Sequence, residues 1–390
     1  MRHRLPLAFS EYGPAPKPLF ALPAEPYDEI AVRDRDIDFY SRRVAEDPSS
    51  ALDRVALARL LFDRARSTGA VDDLDRAEAL ARQAIDERSH RNSQAFELLA
   101  TVLMSKHEFQ EARVIALQLD SLNPGLSGNL ALLGEIELEL GEYSSAASRF
   151  EAVSYDGRSF TTAARIARWY ELTGRSDRAR AIIARAIAQV DRRDDLPSAQ
   201  AAWFHYRLGD LNLRAGRVKA ADSAFRRGLA LYRDDVRLNS GLARAALARG
   251  SFHEAITLGE MVLASQLDPE ILVTIGRAHA ALGDTSQVSA YVRAVAASAL
   301  DEGEGMHRTM ALFLLDYGSQ ELRASVLKFA RSAFDDRRDV YGHDLLAWAL
   351  HRNGDAEGAR GHIKMALAHG TQDVGLAEHA RAIGVTRLTP

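Results

Sequence analysis

Residues 208–228 read LGDLNLRAGRVKAADSAFRRG, and the spacing of small residues in this stretch decides the fold. Gly209 and Ala221 stand twelve positions apart, and Gly216 lies five before Ala221. The twelve-residue pair recurs outward in both directions, at Ala100/Ala112, Gly134/Ala146, Ala167/Ala179, Ala243/Ala255, Gly276/Val288 and Ala347/Ala359. All of these except the first also carry the glycine, at Gly141, Gly174, Gly250, Gly283 and Gly354. From Ala112 to Val288 the second members are 34, 33, 42, 34 and 33 residues apart. A period near 34 with small residues in two phases marks a stacked helical repeat, a surface rather than a pocket.

The spacing has a physical cause. A glycine ends the first helix of each pair, because the chain must visit positive φ to reverse direction. Polar residues follow as expected caps of the second helix: Ser176–Asp177, Ser251 and Asp284–Thr285. Two antiparallel helices approach closely only where the crossing residues are small, which accounts for Ala or Gly on both.

The pattern resembles the tetratricopeptide repeat family over roughly residues 92 to 370. The best unit is Leu208–Gly209, Leu211, Gly216, Ala221, Phe225 and Gly228, and Asn123–Pro124 and Asp268–Pro269 fall where that family closes a repeat with proline. The resemblance implies an all-α, right-handed superhelical solenoid. The chain has room for about eight to nine antiparallel helix pairs and no strand.

Bulk properties narrow the function classes. Hydrophobic content of 47% with 27% charge excludes disorder of the whole. A net charge of −4 lacks the basic footprint of a nucleic-acid binder. Of 50 basic residues only Lys17, Lys106, Lys219, Lys328 and Lys364 are lysines, a bias that reads, with the abundant alanine, as a GC-rich bacterial genome. The absence of cysteine removes disulfides, thiolate metal sites and a cysteine nucleophile. No apolar run is long enough to span a membrane. Met1–Phe9 starts basic but is too short for a secretory signal, so the chain reads as cytoplasmic unless a leader has been trimmed.

Five segments follow. Residues 1–32 hold Pro6, Pro14, Pro16, Pro18, Pro23 and Pro26 and read as extended, either a mobile tail or a segment docked on the solenoid or a partner. Residues 33–91 hold a helix from about Asp34 to Glu46, stopped by Asp47–Pro48, and an irregular first pair over Ala51–Ala65 and Leu74–Ile85. Residues 92–300 are the regular array, whose one long step carries the insertion Asp191–Ser198. Residues 301–370 open on an acidic loop, Asp301–Gly305, followed by a degenerate unit and a final regular one. Residues 371–390 supply a capping helix, Asp373–Ile383, and a tail.

Catalytic signatures are missing. The sequence has no phosphate-cradling glycine loop, no nucleophile elbow and no His-Glu-x-x-His pair. Asp34, Asp36 and Asp38 begin like a calcium loop, but Phe39 stands where its turn glycine belongs and Ala45 where its last ligand belongs. His343, His351, His362, His369 and His379 are spaced too widely to share a metal on one helix face and read as packing residues. No cofactor, metal site or catalytic centre is expected.

A partner would meet the concave stripe of the first helices, which includes positions three and six before the small residue and one and four after it. In the second unit this gives Gln94, Glu97, Thr101 and Met104; in the third Gly128, Ala131, Glu135 and Leu138, with Glu139 beside them; in the fourth Thr161, Ala164, Arg168 and Glu171. The fifth gives Trp203, Tyr206, Asp210 and Leu213 with Arg214 adjacent; the sixth includes Arg237 and Arg244, the seventh Arg277, the ninth Tyr341 and Trp348. The wall is thus expected to run from acidic through aromatic to an arginine row. Trp203, Tyr206, Arg237, Arg244 and Arg277 are the expected anchors for a protein or peptide segment bearing acidic groups; the alternative is that Trp203 and Trp348 pack between units and the arginines pair with nearby carboxylates. The chaperone-binding subtype of the family places Lys and Asn where Glu97, Ala131, Ala164, Thr101, Glu135 and Arg168 stand, and is not supported. The leading reading is a non-enzymatic interaction scaffold; its rivals are a peptide-responsive sensor, an enzyme with an unfamiliar site, and a self-associating platform. The oligomeric state is left open.

Overall fold

The computed structural model describes residues 28–153, 159–193, 196–266, 268–301 and 306–385. The proline-rich segment through residue 27, Asp194 and Asp195 of the insertion, residues 302–305 of the acidic loop, the tail from 386 and the Thr161 side chain lie outside them.

Among the described residues the chain is all helix. α1 (Glu29–Glu46) precedes nine antiparallel pairs. The first four pairs are α2/α3 (Ala51–Thr68, Val71–Glu87), α4/α5 (Ser93–Ser105, Phe109–Leu122), α6/α7 (Ser127–Glu139, Tyr143–Ala152) and α8/α9 (Phe160–Leu172, Ser176–Val190). Next come α10/α11 (Ser198–Arg214, Val218–Leu231), α12/α13 (Val236–Ala248, Phe252–Leu263) and α14/α15 (Pro269–Leu282, Thr285–Asp301). The last two are α16/α17 (Arg308–Tyr317, Gln320–Asp336) and α18/α19 (Val340–Arg352, Ala356–Leu367), closed by α20 (Val374–Ile383). α1 starts before the expected Asp34 because Asp28 caps it, accepting from the Ala31 N–H at 3.0 Å.

Six turn glycines named from the sequence, from Gly141 to Gly354, all have φ between 72° and 90°. His107 takes this place in the second unit, at φ 63°. In these turns the next N–H closes on a carbonyl five residues back, as with Arg217 N to Asn212 O at 2.8 Å and Glu108 N to Leu103 O at 2.9 Å. This backbone bond, rather than a side-chain cap, starts most second helices. Ser251 makes no cap bond, and its hydroxyl accepts from Arg249 Nε instead. Asp284 does cap, accepting from Gln287 N at 3.1 Å.

Glycine in the first helices answers to phenylalanine. Phe225 of α11 is fully buried between Gly209 of α10 and Gly241 of α12, and a Cβ on either would sit 2.3 or 2.7 Å from its ring. Phe150 fills the matching space over Gly134. Ala167 and Ala221 are wholly buried at their crossings. Ala221→Leu is expected to lower stability by ~1–3 kcal/mol through overpacking, read as a lower urea midpoint.

The solenoid winds back onto itself. Tyr143 Oη accepts from Val340 N across 197 residues of sequence, Thr371 Oγ1 donates to Leu172 O across 199, and Gln372 Nε2 donates to Gly174 O across 198. With units near 34 residues, that constant offset is close to six units per superhelical turn. The turn glycines form the seam: a Cβ on Gly141 would meet Arg338 O at 2.4 Å, on Gly174 Gly370 O at 2.7 Å, and on Gly69 the Gln266 side chain at 2.5 Å. A Cβ on Gly250, Gly283 or Gly354 would meet nothing within 4 Å among the described residues. Tyr143 and His369 stack across the seam at 3.7 Å.

Candidate functional site: the concave wall

First helices touch first helices along the array, as α10 touches α12 and α12 touches α14, so their free stripes line the inside of the turn. In its middle this wall carries an alternating ladder of charge. Arg337 bridges Asp339 (3.2 Å) and Glu139 (2.8 Å), and Arg168 bridges Glu139 (3.1 Å) and Glu171 (3.2 Å). Arg207 bridges Glu171 (3.3 Å) and Asp210 (3.2 Å). Asp210 also receives Arg214 at 3.0 Å and Arg244 at 3.2 Å. Burial alone would raise the Asp210 carboxyl, but the guanidiniums of Arg214, Arg244 and Arg207 hold it well below the usual carboxylate range.

Tyr341 plugs the ladder. It is 3% exposed, and its ring is caged by the guanidinium carbons of Arg308, Arg214 and Arg168 at 4.8, 5.0 and 5.5 Å. Its hydroxyl donates to Asp373 at 3.2 Å, and Arg308 pairs with the buried Asp344, which also binds His379 Nδ1 at 2.8 Å. Asp373 caps the last helix, so the ninth unit and the cap pack against units three to five.

This placement divides the expected anchors. The arginine row is not free: Arg214 and Arg244 serve Asp210, Arg237 pairs with Asp235 at 2.7 Å, and Arg277 with Asp316 at 3.4 Å. Glu135 is taken by Arg165 at 3.0 Å. Trp348 is buried between units and cap, its Nε1 donating to Asp316 at 2.9 Å and its ring stacked on His379 at 4.3 Å. Tyr206 is half-buried beside Phe225. Glu97 is exposed, and Trp203 is half-exposed beneath Arg66 of α2, whose guanidinium lies 5.7 Å from its ring. Arg66 escaped sequence reasoning because the first pair is irregular and the contact spans a whole superhelical turn. The ladder had a signal: the residue after the small one reads Arg168, Asp210, Arg244 in successive units, opposite charges in alternation.

Two histidines, His107 and His343, give the fold a pH dependence. Burial, with Arg337 and His307 nearby, lowers His107 to about 4, and burial beside His362 lowers His343 to about 4. A histidine depressed on folding contributes stability in full above its unfolded value of about 6.5 and loses it as pH falls toward 4. The thermal midpoint is therefore expected to fall over that range. His107→Asn, which tolerates positive φ, should flatten the slope.

No family model and no curated protein sequence matches the chain. Among solved structures it is similar to a chain of the APC/C hetero-tetramer Cut9–Hcn1, with TM-score 0.53 and 15% identity, covering 90% of this chain and 59% of that one. The fold is a tetratricopeptide-type solenoid. It is also similar to the human IFIT1 dimer with PPP-AAAA, with TM-score 0.53 and 13% identity, covering 87% of this chain and 78% of that one. The chain thus spans less than two thirds of the first match, and at these identities the likeness is one of fold alone.

Proposed function

We propose that this tetratricopeptide-type protein is a non-enzymatic interaction scaffold that holds a segment of a protein partner against its concave wall. The observation carrying this reading is the division of that wall. Asp210 and Arg214 of unit five and Arg244 of unit six are taken up by the ladder, with Tyr341 against it, whereas Glu97 of unit two, Arg66 of unit one and Trp203 near the start of α10 remain accessible. A solenoid offers extended contact length, and a few aromatic and arginine anchors supply most of the affinity of such contacts. The ladder's balanced charge supports a structural role for it, since each ladder guanidinium already has a carboxylate.

A pull-down comparing wild type with Trp203→Ala and Glu97→Lys tests the reading, with Arg331→Ala on the exposed face of α17 as control. Proteins retained by wild type and the control should be lost from the groove variants. Recovery of the same proteins at the same yield from all four would refute the assignment.

A further inference from the structure

The wall's accessible stretch has a chemistry of its own. Arg66 is exposed, lies over the rings of Trp203 and Phe62, and has no carboxylate within ion-pairing distance among the described residues. Partial desolvation at its contact with the rings and the charge of Arg237 push its guanidinium below the ordinary value, partly offset by Asp63 and Asp235. Arg237, whose Nε and Nη2 are held by Asp235, and Arg244 follow on α12, two helical turns apart on one face. Arg244 gives one nitrogen to Asp210, but its Nε and Nη2 are buried with no acceptor among the described residues. A buried donor without an acceptor is costly enough that each one calls for a partner.

We propose that Arg66, Arg237 and Arg244, with the Trp203 indole beneath Arg66, form a strip that takes an extended peptide segment through spaced acidic side chains. This rests on the scaffold reading and adds the chemistry of the partner. Arg237 and Arg244 are separated by about 10 Å along the helix, a distance a polyproline-II-like extended chain covers in about three residues, which is also its repeat, so that side chains three apart return to one face. Acidic groups three residues apart therefore match the pair, while the indole accepts the intervening chain. Asp63, Asp235 and Glu270 are interspersed along the same stretch and would repel a strand with a phosphate at every residue. Spaced carboxylates avoid them. Arg66 comes from the first unit and Arg237 from the sixth, so the site exists only when the superhelical turn is closed.

The test uses a fluorescein-labelled peptide with glutamates at every third position and glycines between, read by anisotropy against the full chain. One-to-one binding is expected, weakened at least five-fold by Arg66→Ala, partly restored by Arg66→Lys, and unchanged by Arg331→Ala. Equal binding to wild type and Arg66→Ala, or equal binding of the same peptide with lysines, overturns the strip. Displacement by tripolyphosphate at concentrations matching the unlabelled glutamate peptide overturns the carboxylate assignment in favour of a phosphate ligand. If pull-down partners are lost from Trp203→Ala while the glutamate peptide fails to bind wild type, the scaffold stands and the strip falls. If neither responds, both fall.

Discussion

Asp210→Ala is expected to lower the stability of the fold by about 3–5 kcal/mol, the range for removing one member of a buried charge network. Asp210 is 3% exposed and is the shared partner of Arg207, Arg214 and Arg244. Alanine would leave Arg244 with no carboxylate within ion-pairing distance, and its two orphaned nitrogens show that it has no reserve acceptor. Asp222→Ala makes the comparison. That carboxylate also holds two arginines, Arg226 and Arg249, but on the outer face, where such pairs contribute about 0–1 kcal/mol. Chemical denaturation of the two variants measures the contrast, and equal midpoints would show that the ladder adds nothing the surface pair does not. The ladder also ties stability to acid. The Asp210 carboxyl is depressed on folding, so its contribution is complete above its unfolded value near 4 and is lost as pH falls further.

The second large effect belongs to the seam. Gly141→Ala and Gly250→Ala both place a side chain at positive φ, with a strain of about 1–2 kcal/mol each. Only Gly141 faces another turn of chain, and its new Cβ would lie 2.4 Å from Arg338 O. Gly141→Ala should therefore open the superhelix as well as strain the turn. Small-angle scattering should show a larger radius of gyration for Gly141→Ala, with Gly250→Ala matching wild type. A radius unchanged in both variants would mean that the turns are not locked in solution. The ninth unit's Tyr341 ties this result to the first, because opening the seam withdraws the ring from its cage of Arg168, Arg214 and Arg308.

The local half of this structure was readable in advance. The twelve-residue spacing located seven helix pairs, and in the unit that reads as degenerate the turn residue Gly318 has a φ of −74° where the regular turns are positive. The capping helix from Asp373 also lies where the repeat's exposed apolar end required it. The wall was readable only in part. Glu97, Trp203, Arg237, Arg244 and Arg214 stand out in the sequence, but that Asp210 lies between the last two and holds both depends on how α10 and α12 meet. Tyr341 and Trp348 read as groove residues and proved to be interior ones.

What the order of residues determined alone is the unit: helix, left-handed turn, helix, with small side chains at the crossing. Those features depend on contacts within one period, through φ at Gly216 or the fit of Phe225 against Gly209. What only the tertiary structure decided is how many units complete a turn, and hence that Gly141 meets Arg338, Trp203 meets Arg66, and Tyr341 fills the middle of the wall. The physical reason is accumulation. A small rotation at each interface between units leaves no mark in any single period, yet over six of them it brings residues 197 apart within hydrogen-bonding distance.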